Sequence, residues 1–185
     1  LKEMEPLSIV NESIIPALNS VGVKFEKGIV FLPQLIASAE TVQKSFAIIK
    51  EALMKNNKEE VVKGKIILAT VEGDIHDIGK NIVKVILESY GFKVIDLGKN
   101  VPAEEVLRVA REQEITLVGL SALMTTTVKS MEKTIMLIRE SGLNIKVMVG
   151  GAVLTEEYAK SIGADFYAKD AMESVKIAEN HFLAK

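Results

Sequence analysis

The residues best suited to chemistry are Asp74 and His76, two apart in the run Glu72-Gly73-Asp74-Ile75-His76-Asp77-Ile78-Gly79-Lys80-Asn81. His76 is one of only two histidines in 185 residues. An imidazole binds a metal through one ring nitrogen, while a carboxylate bonded to the other nitrogen fixes the tautomer and raises ligand basicity. A carboxylate two residues upstream suits that task. The run follows an apolar stretch ending at Val71 and opens a helical pattern, so both side chains should lie at the carboxyl end of a strand. Open α/β sheets bind ligands there. The loop therefore reads as a metal-cofactor site. An Asp and a His at a helix start are also a common capping pair, so the surrounding elements must decide between the two.

From Ile66 onward, apolar runs alternate with helical patterns. Ile66–Val71 has the look of a buried parallel strand. Ile78, Ile82, Val83, Ile86 and Tyr90 mark a helix that Gly91 can close in a left-handed cap. Phe92–Leu97 is a strand, and Pro102 begins a helix through Val106, Val109 and Ala110. Ile115–Ser121 is the next strand, and its helix carries Val128, Met131, Ile135 and Ile138. Lys146–Val149 ends in Gly150-Gly151 before a helix over Thr155–Ser161; Asp165–Ala168 is a short last strand, and Ala171–Phe182 closes the chain. This alternation predicts an α/β fold with a doubly wound, parallel, five-stranded sheet of Rossmann-like, flavodoxin-like type and right-handed crossovers.

The N-terminal part reads differently. Leu7, Val10, Ile14, Ile15, Leu18 and Val21 recur at helical spacing, and Leu35, Ile36, Ala39, Val42, Phe46, Ile49 and Leu53 do so again. Between them the run Gly22–Pro33 holds two glycines and a proline, so a turn is expected there. Two helices rarely form a core alone, so this pair must pack on something else. The polar run Asn56–Glu60 reads as a linker, which divides the chain into residues 1–58 and 59–185. Because the first residue is Leu1 rather than Met, the expectation is that an N-terminal portion precedes it.

Composition removes several classes of function. Lys and Arg number 23 against 25 Asp and Glu, a net charge of -2, which gives no basic field for nucleic acid. With no cysteine there can be no disulfide, thiolate nucleophile or thiolate-held metal. No apolar run reaches the roughly 18 residues that span a bilayer, and a cytoplasmic location is expected. Neither Gly-x-Gly-x-x-Gly after the first strand nor a Walker-type loop is present. The loops after the strands offer instead glycines and hydroxyls, suited to a large, polar, elongated ligand.

Taken together, Asp74-x-His76-x-x-Gly79, Ser121-x-Leu123 and Gly150-Gly151 resemble the signature of the cobalamin-binding domain of methionine synthase and of the corrinoid proteins of methylotrophic and acetogenic methyltransferases. The likeness covers essentially the whole chain. Val21–Phe25 and Phe31–Leu35 resemble the helical cap module that precedes that domain, of which only the latter part is expected here. Gly73–Lys80 and Leu97–Pro102 look most like methionine synthase, while Met124–Thr127 is close to the small corrinoid proteins.

The resemblance implies roles residue by residue. His76 would displace the cofactor's own dimethylbenzimidazole and bind cobalt from below, Asp74 would hold the other imidazole nitrogen, and Thr127 would place a hydroxyl on that carboxylate. Gly73, Ile75, Asp77 and Gly79 would complete the loop around the ligand. Ser121 and Thr125 would meet the nucleotide tail, with Gly150, Gly151 and Ala171 lining its slot, and Leu123 would also contact the cofactor. Phe25 and Leu32 would cover the upper face of the corrin. In that family cobalt alternates between Co(I), which accepts a methyl group, and methyl-Co(III), which passes it to a thiol. The implied function is the methyl-carrying B12 module of a methionine synthase-type methyltransferase, incomplete as a catalyst without methyl-donor and methyl-acceptor domains or subunits and a reactivation partner. The alternatives are a stand-alone corrinoid protein of a methylamine or methanol system, and a cobalamin-dependent sensor. A mutase subunit would share the loop but lack the cap.

Overall fold

The computed structural model describes residues 9–55 and 62–183. The expected linker Asn56–Glu60, the boundary between residues 58 and 59, and Leu7 lie outside them, as do the side chains of Phe46, Ile49 and Leu53.

A π-helical turn, Val10–Ile14, leads into α1 (Ile15–Glu26), and α2 (Leu32–Lys55) follows. Strands and helices then alternate: β1 (Lys65–Thr70), α3 (Ile78–Ser89), β2 (Lys93–Asp96), α4 (Ala103–Glu112), β3 (Leu117–Ser121), α5 (Val128–Glu140), β4 (Lys146–Gly150), α6 (Glu156–Ser161), β5 (Phe166–Tyr167) and α7 (Ala171–Leu183). All strand pairs are parallel, in the order β2-β1-β3-β4-β5. The expected doubly wound, flavodoxin-like sheet is therefore present. Its order reverses between β1 and β3, and that switch point opens a crevice at the carboxyl ends of the two strands.

Each face of the sheet builds its own core. Ile67, Ala69, Val71, Val118, Leu120, Val147 and Val149 face α4, α5 and α6, and meet Val106, Met131, Ile135 and Ala159. The alternate residues Ile66, Leu68, Leu117 and Met148 face α3 and α7, and meet Ile86, Leu87, Met172 and Val175. Period-two alternation along the strands makes this division. Leu18, Leu35 and Ala39 of the helical pair are buried in the second core. The surface that α1 and α2 could not cover by themselves is thus covered by the α/β unit.

The turn between the first two helices is narrower than the sequence suggested. Helix α1 continues through Gly22 to Glu26, and the chain reverses over Lys27–Phe31, where Gly28 takes a φ of 69°. The Lys24 carbonyl there accepts both Ile29 N–H (2.9 Å) and Val30 N–H (3.2 Å). Gly22 serves packing rather than turning: a Cβ at that position would lie 2.4 Å from Met172 Cε of α7. His181 of α7 is half-buried, with Nε2 2.9 Å from Thr116 Oγ1 and its ring edge-on to Phe182. Among the described residues no helix is long and apolar enough to cross a membrane.

Candidate functional site

The site is built where the loops after β1 and β3 meet. Asp74 has no exposed surface, yet its carboxylate faces five donors. Oδ1 accepts His76 N–H at 2.9 Å and stands 2.8 Å from His76 Nδ1. Oδ2 accepts Leu123 N–H at 2.7 Å, Met124 N–H at 3.3 Å and Thr127 Oγ1–H at 2.9 Å. Burial alone would raise the carboxyl's pKa. The hydrogen bonds from His76 and Leu123 backbone, and from the His76 and Thr127 side chains, outweigh it and hold Asp74 well below the usual carboxylate range. An ionised carboxylate facing Nδ1 keeps the proton on that nitrogen. Nε2 is then the ring atom left to donate a lone pair to a metal. The His76 side chain is 45% exposed, so a ligand can reach it.

Two groups that hold this loop escaped the sequence reading. Asn100, from the loop after β2, accepts Gly73 N–H on its Oδ1 at 2.7 Å and donates its own N–H to the Asp74 carbonyl at 2.9 Å. It does so with a φ of 55°, a conformation that asparagine tolerates better than most residues. The buried Lys80 bonds Asp96 Oδ1 at 2.6 Å and Asn81 Oδ1 at 2.7 Å. Asp96 Oδ1 also accepts Gly98 N–H at 2.9 Å. Burial would raise the Asp96 pKa, but the bonds from Lys80 and Gly98 and the Lys80 charge lower it. Lys80 thereby pins the first turn of α3, four residues after His76, to the end of β2. An Asn in a turn and a Lys in a helix carry no local signal for such contacts; only the strand order brings β2 beside β1.

The first turn of α3, which follows the His76 loop, borders a cavity of about 520 Å³, within the ~300–1,000 Å³ range of small-molecule sites. Phe25 and Leu32 of the helical pair form its upper wall, and Gly79, Ile82 and Val83 of α3 one side. The sheet supplies Leu68, Gly119, Ser121, Met148 and Gly150, and Lys169, Asp170, Ala171 and Ser174 close the far end. Gly79 has open space where a Cβ would be, so a side chain there would enter the cavity. Ile75 and Ile78, which flank His76 in the chain, and Leu123, whose N–H bonds Asp74, are 62%, 78% and 42% exposed, an apolar platform of the kind that marks a binding surface.

The residues singled out in the sequence fall into three groups. Asp74, His76 and Thr127 form the hydrogen-bonded triad, with Gly73 fixing the loop. Gly79, Ser121, Gly150, Gly151, Ala171, Phe25 and Leu32 line the cavity. Ile75 and Leu123 belong to the platform, and Leu123 reaches Asp74 through its N–H rather than its side chain. Thr125 joins none of these: it is exposed and outside the cavity wall. Asp77 is half-buried at the N-cap of α3, where its carbonyl accepts Asn81 N–H at 2.9 Å and its side chain makes no cap bond. Gly150 and Gly151 answer first to the backbone. A Cβ on Gly150 would stand 3.1 Å from the Ala168 carbonyl oxygen, and one on Gly151 would stand 1.8 Å from that of Ala122.

Comparisons with known proteins show the family. The B12 binding domain family matches residues 64–176, and a second family of the same description matches residues 1–50. A dimethylamine corrinoid protein of Methanosarcina barkeri is 42% identical over 179 residues, covering 96% of this chain and 84% of its own length. The trimethylamine corrinoid protein 1 of Methanosarcina acetivorans is 37% identical over 93% of this chain and 81% of its own. Among solved structures, a cobalamin-binding protein from Desulfitobacterium hafniense superposes with a TM-score of 0.81 at 33% identity, covering 95% of this chain and 82% of that one. The methanol:cobalamin methyltransferase complex of Methanosarcina barkeri contains a chain that superposes at 0.84 with 29% identity, covering 98% of this chain and 69% of that one.

Proposed function

The chain belongs to the B12 binding domain family and its cofactor is cobalamin; we propose that it is a stand-alone corrinoid protein that carries a methyl group in a methylamine- or methanol-type methyltransferase system. The relatives support this choice. They are corrinoid proteins of methylamine systems and a chain of a methanol methyltransferase complex, similar to this one over nearly its full length. They favour it over the methionine synthase module that the sequence runs put first; neither methionine synthase nor methionine biosynthesis gains support from them.

The residues present fit the cofactor. A single imidazole nitrogen offers one ligand, which suits a metal whose equatorial positions a macrocycle already fills. The apolar platform of Ile75, Ile78 and Leu123 suits a broad ring, and the cavity behind it suits a detached tail. When bound, cobalamin supplies the cobalt that accepts and releases the methyl group. The chain supplies the rest. His76 Nε2 would hold the cobalt, Asp74 holds Nδ1, and Phe25 and Leu32, which line the cavity, would help to exclude water.

Thr127 gives the network a place to keep a proton. Its Oγ1 lies 2.9 Å from both Asp74 Oδ2 and the Met124 carbonyl. With Asp74 ionised, the hydroxyl donates to Oδ2. Were a proton to arrive on Oδ2, the hydroxyl could turn to Met124 and accept instead. The carboxyl can therefore change its proton content without losing that contact, as a ligand that tightens and loosens on its metal requires.

The observation that carries the proposal is the 2.8 Å contact between His76 Nδ1 and a buried, ionised Asp74. It is tested by loading the chain with hydroxocobalamin or methylcobalamin, desalting, and recording the absorption spectrum beside His76→Ala. A retained, base-off, protein-ligated spectrum that the variant alters or loses is expected. Transfer of methyl groups from mono-, di- or trimethylamine or methanol, with the matching methyltransferase added, then distinguishes the systems. Transfer only from methyltetrahydrofolate would restore the methionine synthase reading.

A further inference from the structure

Lys80 is 4% exposed and lines the cavity, yet neither the triad nor the apolar platform uses it. Burying an ammonium is costly, and an apolar side chain of similar volume is often as stable or more so in its place. The lysine therefore serves something other than stability. From Ile78 to Val85 of α3 only Lys80 is buried, whereas the apolar anchors Ile86 and Leu87 belong to the second half of the helix. The first half borders the cavity through Gly79, Ile82 and Val83, so on that side it has open space where a core would hold it. What holds it is directional. Lys80 Nζ donates to Asp96 Oδ1 at 2.6 Å and to Asn81 Oδ1 at 2.7 Å, and Lys84 Nζ, one turn later, donates to Asp96 Oδ2 at 3.3 Å. Gly98 N–H, 2.9 Å from Asp96 Oδ1, fixes the carboxylate in turn. Strand β2 and the loop after it thus bracket the His76 loop: Asn100 holds its start at Gly73 and Asp74, and Asp96 holds its end at Lys80. No residue from Lys93 to Asn100 lines the cavity itself.

We propose that Lys80 is a positioning residue for the cofactor: by tying the first half of α3 to Asp96, it sets the slot and the His76 loop in their binding geometry before the cofactor arrives. An apolar residue at this position could slide against its neighbours, whereas a 2.6 Å ion pair specifies one place for the turn. The helix then needs no ordering when the tail enters, and affinity is not reduced by a fraction of chains whose slot is unformed. Lys84 has a lesser part, because its contact is longer and more exposed than that of Lys80. This role rests on the reading that the tail occupies the cavity and His76 holds the cobalt.

The test uses the full chain, freed of corrinoid, in three forms: wild type, Lys80→Met combined with Asp96→Asn, and Lys84→Met. The double substitution leaves neither member of the pair charged and alone, so its melting temperature should stay within a few degrees of wild type. In hydrogen exchange without corrinoid, the amides of residues 81–85 should be protected in the wild type and exchange about tenfold faster in the double variant, while those of residues 86–89 hold. Loading with cobalamin should restore that protection. The double variant should also bind cobalamin about tenfold more weakly, through slower association, and cobinamide, which has no tail, should lose less. Lys84→Met should match wild type in both measurements. A double variant that keeps wild-type exchange or wild-type cobalamin binding would overturn the role of Lys80, as would a wild-type chain whose amides 81–85 are unprotected until cobalamin binds. A wild-type chain that binds cobalamin no more tightly than cobinamide would overturn the placement of the tail and this role with it; exchange in the corrinoid-free chain tells the two failures apart. Should the double variant fail to fold, Lys80→Gln, too short to reach Asp96, reads the same comparison.

Discussion

Asp74 Oδ1 takes both hydrogen bonds that His76 offers it, from the backbone N–H at 2.9 Å and from the ring at 2.8 Å. One oxygen thus fixes where the residue lies and how its ring is turned. Asp74→Asn breaks this arrangement, because an amide has one acceptor oxygen where donors now converge from two loops. Its NH₂ must face either the His76 pair or Leu123, Met124 and Thr127. The variant should lose about 3 kcal/mol in denaturant unfolding, and the cobalamin it retains should show reduced histidine ligation.

The same carboxylate sets an acid limit on stability. Its pKa in the folded chain is depressed, whereas in the unfolded chain it should titrate near ~3.9. A depressed pKa contributes stability that is complete above the unfolded value and is lost as pH falls toward the folded one. Asp96 and Asp165 are shifted the same way, the first chiefly by Lys80 and the second by Val147 N–H, Lys146 and Arg139, each against the effect of burial. As far as these groups decide it, the melting temperature should be flat above about pH 5 and fall steadily below about pH 4. Asp165→Asn should lower the plateau and flatten the acid slope, which thermal melts from pH 3 to 7 would show.

Much of this site was legible in the sequence because its chemistry is local. Asp74 and His76 are two residues apart, and the apolar run before them and the helical pattern after them fix the loop at a strand end. Thr127 was found through its motif, since 53 residues separate it from Asp74. What stayed hidden depends on strand order. Asn100 and Asp96 matter because β2 lies against β1. The direction of each side chain in the Ser121–Thr127 run was equally unreadable: Thr127 turns inward to Asp74, while Thr125 faces solvent. At Gly150-Gly151 the dipeptide was noticed for the ligand, but the tightest constraint on it is another backbone.

Asn100 gives a separate handle on the loop. Asn100→Gly keeps the positive φ accessible and removes only the acceptor for Gly73 N–H. It should cost about 1 kcal/mol, with a loss of cobalamin affinity larger than that small destabilisation suggests, because the loop carrying His76 is freed. Asn100→Asp retains both the acceptor and the tolerance for that conformation, and should stay near wild type. Equal affinities for all three proteins would show that the clamp does not set the position of His76.

Gly22 and Gly151 test which close contacts are rigid. A Cβ at Gly22 meets the terminal methyl of Met172, the free end of a flexible side chain that can move aside. Within a helix the change to alanine also returns up to ~1 kcal/mol of propensity, so Gly22→Ala should stay within about 1 kcal/mol of wild type. At Gly151 the Cβ would stand 1.8 Å from the Ala122 carbonyl oxygen, with a φ of 144°. Neither atom can yield without pulling the ends of β3 and β4 apart. Gly151→Ala should therefore cost about 3–5 kcal/mol. Because those strand ends form the cavity wall, the remaining folded protein should also bind cobalamin more weakly, while cobinamide, which has no tail to place there, should be affected less. Denaturant unfolding of both variants, with titration of the two corrinoids, separates the contact that matters from the one that gives way.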